Sequence, residues 1–127
     1  MTLPSTKELA TWVGKPYAEG SCWDPFARDA FRDLAGVELP ESYYDALPLF
    51  DTVHDCKNKV PFTAAPWDVV MIRAHRFLIL HCAIALDGER FIQPWGETGL
   101  VICRFDDEQW SKRIAGYLRH RGKPTPE

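Results

Sequence analysis

Apolar residues along this chain change their spacing near its midpoint. In the first third they recur every three or four positions. Leu9, Trp12 and Val13 follow Ser5-Thr6-Lys7-Glu8, and Phe26, Ala27, Ala30, Phe31, Leu34 and Ala35 form a second set. Such spacings put side chains on one face of a helix. Ser5 and Glu8 have the form of a capping box, in which the Ser side chain accepts from the Glu8 amide and the carboxylate reaches back. Gly14 and Gly36 stand where the two helices should stop, because glycine adopts the left-handed conformation of a helix end at little cost. Positions 41–66 mix polar, aromatic and proline residues without a period, which predicts a long connection holding at most one short helix.

The second half is written in runs suited to strands: Trp67 to Arg73, Phe77 to Leu86, Arg90 to Gln93 and Leu100 to Phe105. The run from Phe77 to Leu86 is apolar on both of its faces, as a central strand covered on each side would be. Phe77, Ile79, His81, Ala83 and Ala85 share one face, and Leu78, Leu80, Cys82, Ile84 and Leu86 the other. Asp106 and Asp107 can cap a last helix with Trp110, Ile114, Tyr117 and Leu118 turned inward. The expectation is an α+β domain: N-terminal helices packed on an antiparallel meander, closed by a C-terminal helix. It should span 1–121, with 122–127 a disordered tail.

At 127 residues the chain fits one domain, and it can bury roughly two-thirds of its unfolded surface. A net charge of −3 argues against nucleic acid and membrane surfaces as partners. The longest apolar run is interrupted by His81 and too short to span a bilayer. The first seven residues lack a basic segment followed by an apolar run, so no signal peptide is expected and the chain should begin its life in the cytoplasm. The four cysteines, 22, 56, 82 and 103, are expected to be reduced. None forms a C-x-x-C pair. His54-Asp55-Cys56 has no second ligand pair nearby, so neither a zinc site nor any other cofactor is expected.

Two residues carry candidate chemistry. Cys22 lies in Gly20-Ser21-Cys22-Trp23-Asp24-Pro25-Phe26, just ahead of the second helix, where a helix N-terminus and an imidazolium can lower a thiol pKa. The bland alternative is a buried, inert thiol. His81 sits in mid-strand with two ring nitrogens that need partners. Ala83 and Ala85 leave room on its face for a helix. If the helix headed by Cys22 packs there, thiol and imidazole meet as nucleophile and base. Gln93 is the candidate to orient the ring, and strand parity decides. A two-residue turn at Asp87-Gly88 pairs His81 with Pro94 and turns Gln93 away. A three-residue loop, Leu86-Asp87-Gly88, pairs His81 with Gln93. The residues alone leave both open.

The segment WVGKPYAEGSCWDPFARDAFRDLAGVELP resembles the start of NlpC-type papain-like cell-wall peptidases, which run G-x-P-Y-x-x-G, D-C-[SW]-G-L-V, a helix, then G-[IV]-x-L-P. PWDVVMI is similar to the family's P-G-D-[LV]-[VL]-[FL], and HCAIALDGERFIQ to its H-[VA]-[GA]-I-Y-[LI]-G-x-G-x-[FM]-[IL]-H. The three segments cover most of the chain in family order. Cys22-Trp23, with Trp110, Arg113-Ile114, Gly116-Tyr117 and Arg119, resembles the branch found in phage tail assemblies. The resemblance implies a cysteine endopeptidase acting on peptidoglycan stem peptides. Cys22 would attack, His81 would shuttle the proton and Gln93 would hold His81. Tyr17, Ser21 and Trp23 would flank the substrate, with Tyr17 aiding the oxyanion. It favours the three-residue loop, and implies tail proteins as partners and the virion tail as destination.

The chain also departs from that pattern. Ser21 replaces Asp, Trp67 replaces Gly, Gln93 replaces His, and Trp23-Asp24-Pro25-Phe26 holds one residue more than the family and lacks its glycine. With Asp24 as N-cap, Cys22 falls two residues outside the helix. With Ser21 as N-cap, Pro25 falls at the fourth helical position, near where its ring clashes. The insertion favours a second reading, a tail-assembly module with a vestigial site. A third, an acyltransferase on lipid esters, lacks an apolar anchor segment. Elsewhere, Cys82 and Cys103 are expected to fill the core, His54 to lie in a solvated loop, and His75 and His120 at the surface. Lys112, Arg113, Arg119, Arg121 and Lys123 would form the solvated face of the last helix or, less simply, a dock for an acidic neighbour.

Overall fold

A computed structural model describes residues 3–18, 20–55, 62–75 and 78–122. Four short helices and six strands follow one another as α1 (Lys7–Ala10), α2 (Arg28–Ala35), α3 (Tyr43–Ala46), β1 (Phe50–Asp55), β2 (Val69–His75), β3 (Leu78–Ala85), β4 (Arg90–Pro94), β5 (Leu100–Arg104), α4 (Glu108–Ser111) and β6 (Ile114–His120). All strand pairs are antiparallel, in the order β1-β6-β2-β3-β4-β5. The expected meander is therefore present as β2 to β5. What it lacks is the pair β1 and β6, which extends the sheet beyond β2.

The expected C-terminal helix is corrected here. Asp107 does cap a helix, accepting from the Gln109 N–H at 2.9 Å, but that helix ends at Ser111 and the chain continues as strand β6. The reason is visible in the register. Met71 pairs with Gly116 and Ile72 with Ile114, so Ala115 is an extra residue, a bulge. The bulge resets the alternation and brings Ile114 and Tyr117, three apart, to the same face. Leu118 points to the other. A bulged strand buried on both faces thus imitates the spacing of a helix.

The first helix is also shorter than its pattern. Thr6, not Ser5, is the N-cap, and the Ser5 hydroxyl accepts from the Lys7 N–H at 3.2 Å rather than from Glu8. Thr6 instead donates to the Leu86 carbonyl at 2.5 Å, tying the helix to the end of β3. Gly36 ends α2 with φ 67°, as its position predicts. The connection at 41–66 contains α3 and strand β1.

The sheet separates two apolar clusters. One gathers Leu9, Phe26, Phe31 and Trp67 with Val69, Cys82, Ile84, Leu86, Ile92 and Leu118, so the N-terminal helices cover this face. The other holds Val70, Ile72, Ala83, Ala85, Phe91, Trp110, Ile114 and Tyr117. The condition that the segment headed by Cys22 pack over Ala83 and Ala85 is not met; it lies on the opposite side of the sheet. The small alanines instead admit Phe91, Trp110 and Tyr117 from the sheet and from α4.

Trp67 has φ 71°, a left-handed value that costs a non-glycine residue about 1–2 kcal/mol. Its ring offsets this by burial: it is fully enclosed, packs on Phe31 at 5.1 Å and donates from Nε1 to the Pro4 carbonyl at 2.6 Å. The next residue, Asp68, is buried and receives both Nε and a terminal nitrogen of Arg119 at 2.8 Å, and the Ala65 N–H at 2.8 Å.

The basic C-terminal residues are not a helix face. Arg119 serves Asp68, Arg121 pairs with Asp51 on β1, and Arg113 donates to the Arg73 carbonyl and lies over Trp110. The acids of Arg119 and Arg121 come from elsewhere in the chain, which the local run of sequence hides. Two histidines are also corrected. His54 is half-buried on β1 with its ring stacked on Phe62 at 4.7 Å. His120 is wedged between Phe31 and Phe50, where burial lowers its pKa. Gly122, placed at the start of the expected tail, donates its N–H to His120 Nδ1 at 2.9 Å. Cys56, the side chain of His75 and residues 123–127 lie outside the described residues.

Candidate active site

Cys22 is held by an irregular turn between Gly20 and α2. The Cys22–Ala27 segment is a wide, π-type turn in which the Phe26 N–H reaches the Ser21 carbonyl at 3.0 Å. Wide turns of this kind accommodate one extra residue. Asp24 is extended, with φ −119° and ψ 112°, and the Asp24–Pro25 peptide is cis. The Ser21 alternative therefore fails, because no helix runs through Asp24; the extended Asp24 followed by Pro25 has the backbone form of the other alternative, with Cys22 outside the continuous helix. Continuous helix starts only at Arg28. The turn is fixed from outside by the segment after α2. Trp23 Nε1 donates to the Pro40 carbonyl at 3.1 Å and Arg28 Nε to the Leu39 carbonyl at 3.0 Å. Arg28 also pairs with Asp24 at 3.1 Å.

His81 and Gln93 come from β3 and β4. Ile84 pairs with Ile92 and Ala85 with Phe91, while the Leu86 N–H meets the Arg90 carbonyl at 2.9 Å. The loop has three residues, Asp87-Gly88-Glu89, one position later than the three-residue alternative. Continued along the strands, this register sets Gln93 opposite Ala83, diagonal to His81 on the same face. A diagonal pair is within reach of long side chains. His81 Nε2 and Gln93 Oε1 are 2.6 Å apart.

The protonation pattern follows from donor and acceptor counting. Gln93 is completely buried and its amide nitrogen points to Cys103 Sγ at 3.3 Å. Its Oε1 can only accept, so His81 Nε2 carries a proton and Nδ1 is left for Cys22. Cys103 sits at the far end of this chain of contacts, and burial raises its pKa.

Cys22 is set beside His81 and Cys82, and the three side chains line one cavity. Successive residues of a strand point to opposite faces, so His81 and Cys82 can share one sulfur only at the strand's edge. The edge is open there. The Ala85 N–H points to β2, accepted by the Asp68 carbonyl at 2.8 Å, so the alternate N–H of Cys82 points toward β4. Pairing with β4 ends at Ile84, and Cys22 takes the vacated place. The Cys22 thiol pKa falls to about 4. The Cys82 thiol donating to it is the largest cause, opposed by burial and reinforced by the hydrogen bond and positive charge of His81. Cys82 moves the other way, well above the thiol range, because it is the donor and is buried. Only one proton leaves this pair near neutrality.

A cavity of ≈ 250 Å³ opens onto the sulfur, lined by Gly20, Trp23, Tyr43, Tyr44, Met71 and the Cys22-His81-Cys82 group. Trp23 is buried and meets Tyr43 edge-on at 5.6 Å. The Tyr43 hydroxyl donates to Met71 Sδ at 3.3 Å, whereas Tyr44 is 79% exposed at the rim. Tyr17 lies elsewhere. Its hydroxyl donates to Asp29 at 2.8 Å, burial and that carboxylate raise its pKa, and it lines a separate groove with Pro16, Ala18, Gly96, Glu97 and Gly99. Ser21 donates to the Ala18 carbonyl rather than into the cavity. Thus the structure brings Cys22, His81, Gln93 and Trp23 together but not Tyr17 or the Ser21 hydroxyl. Sequence reasoning missed Cys82, Tyr43, Tyr44 and Met71. A second cysteine directly beside the candidate base was the available signal for Cys82. The tyrosine pair in a stretch without a period gave none.

Among the described residues no three His, Cys, Asp or Glu side chains cluster as a metal site. The site and fold together define an α+β domain with a Cys-His-Gln cluster where β3 parts from β4 within an antiparallel sheet. No protein-family model matches the chain, and no curated protein sequence matches it. Its fold does match a solved structure. The crystal structure of a Staphylococcus aureus subsp. aureus Mu50 protein described as similar to lipoprotein, NLP/P60 family, superposes with a TM-score of 0.60 at 17% sequence identity. The match covers 97% of this chain and 45% of that protein, so this chain spans less than half of its length. At this identity the two share a fold.

Proposed function

We propose that this chain is a cysteine endopeptidase of peptidoglycan stem peptides, with Cys22 as nucleophile, His81 as proton carrier and Gln93 as the residue positioning His81. The observation that carries the reading is the Cys22 thiol sharing a cavity with an imidazole whose Nε2 is held by Gln93 at 2.6 Å. The fold likeness to an NLP/P60 protein supports the same class. In the reaction, the thiolate adds to a peptide carbonyl carbon and His81 gives its proton to the departing amine. Water then attacks the thioester, His81 takes the water's proton, and the thiolate leaves. Trp23, Tyr43, Tyr44 and Met71 form the wall against which the peptide lies.

Two measurements test this. Alkylation of Cys22, followed cysteine by cysteine by mass, should already be fast near pH 5, and His81→Ala should remove that advantage. Purified sacculi should release stem-peptide fragments with the wild type and not with Cys22→Ala. An ordinary thiol titration at Cys22, or no release, overturns the reading.

The break at Asp24 favours a second reading, a tail-assembly module of the same fold whose partners are phage tail proteins. Under that reading Cys22 sits outside a continuous helix because it is no longer selected to react. A reactive Cys22 without peptide release would point there.

A further inference from the structure

The peptidase reading uses one of the two thiols at the cavity and leaves Cys82 without a task. Acid-base chemistry is covered by His81, and its orientation by Gln93. Yet Cys82 stands on the face of β3 that the Cys22 turn covers, in the same apolar cluster as Cys22. Both thiols line the same ≈ 250 Å³ cavity, so a small solute reaching one is next to the other. Both are free. Cys103 does not compete, since it faces the Gln93 amide on the other side of β3.

An ionised thiol against a neutral one is the arrangement from which a sulfenic acid is captured before it oxidises further. We propose that Cys22 and Cys82 are a peroxide-oxidisable pair, Cys22 being the sulfur attacked first and Cys82 the resolving thiol. The Cys22 thiolate attacks one oxygen of a hydroperoxide, giving the sulfenic acid and expelling hydroxide or alkoxide. Cys82 passes its proton to the departing hydroxyl, its sulfur bonds to Cys22, and water leaves. Peroxide is thereby reduced by two electrons and the two thiols are oxidised to one disulfide. An external thiol reverses the step by exchange. The disulfide silences the nucleophile and protects it from irreversible sulfinic acid formation. This requires Cys22 to ionise, but it does not require the chain to cleave peptidoglycan.

The experiment treats the wild-type protein with about one equivalent of hydrogen peroxide near pH 7, then maps its peptides by mass without reduction. The expected product is a Cys22–Cys82 linked peptide that dithiothreitol reverses in full. With Cys82→Ser, and separately Cys82→Ala, a 1,3-dione should trap Cys22 sulfenic acid, and excess peroxide should carry Cys22 on to sulfinic acid. Alkylation of Cys22 with or without prior peroxide reads the same switch and should fall at least tenfold after oxidation. The proposal is overturned if Cys22 links to Cys103, Cys56 or a second chain. It is also overturned if wild-type Cys22 overoxidises as fast as in the Cys82 variants. A Cys22 that alkylates fast but forms no disulfide ends this proposal and leaves the peptidase reading standing.

Discussion

The proposed nucleophile and its base are held in unlike ways. His81 and Gln93 belong to a regular hairpin, where ladder register and a three-residue loop fix both backbones and the side-chain contact follows diagonally. Cys22 belongs to a wide turn broken at Asp24, held by Trp23 and Arg28 reaching the carbonyls of Pro40 and Leu39. One half of the site is therefore specified by hydrogen-bonded periodicity, the other by packing against a neighbouring segment. The difference explains how an inserted residue can be absorbed beside Cys22. A turn can widen, whereas one extra residue in β3 or β4 would turn every later side chain to the opposite face.

Substitutions on the two halves should separate them. The largest effect is expected at the base: His81→Ala should lower kcat/KM for stem-peptide release about 10²–10⁴-fold, measured on purified fragments. Next comes the support of the strand leading into β2. Trp67→Ala should cost about 3–5 kcal/mol in a denaturant melt, because the loss of a fully buried indole outweighs the relief of its left-handed backbone. On the hairpin side, Gln93→Leu leaves His81 Nε2–H without its buried acceptor and should cost about 1–3 kcal/mol, roughly ten- to a hundredfold in kcat/KM. Cys22 alkylation should fall with it, since a mis-set ring also loses the thiolate.

The remaining effects lie in the pH dependence. The folded Cys22 pKa of about 4 is below that of an unfolded thiol, so its contribution to stability is complete above about pH 8.5 and is lost as pH falls toward 4. Cys82, shifted upward, contributes fully across that window. The Tm difference between the wild type and Cys22→Ala should therefore widen as pH rises from about 4 to about 8. A difference that stays flat would mean that Cys22 is not ionised in the folded chain. Cys82→Ala should move the alkylation midpoint up by about 1–2 pH units, the worth of a hydrogen bond to a charged group.

The sequence by itself determined what depends on near neighbours: α2 and its stop at Gly36, the cap at Asp107 and four strands of the meander; it also singled out Cys22, His81 and Gln93, which the fold brings together. It failed where a distant partner decides. The segment Ile114–His120 has a spacing that a helix and a bulged strand share, and only pairing with β1 and β2 selects the strand. Arg119 and Arg121 have no acids in their own segment because Asp68 arrives from just before β2 and Asp51 from β1. Which face of β3 the helices cover, and hence that Cys22 meets His81 where β3 parts from β4 beside Cys82, was likewise decided by the whole fold. The covering face is set by summed burial over both sheet surfaces, and no local pattern of residues contains that sum.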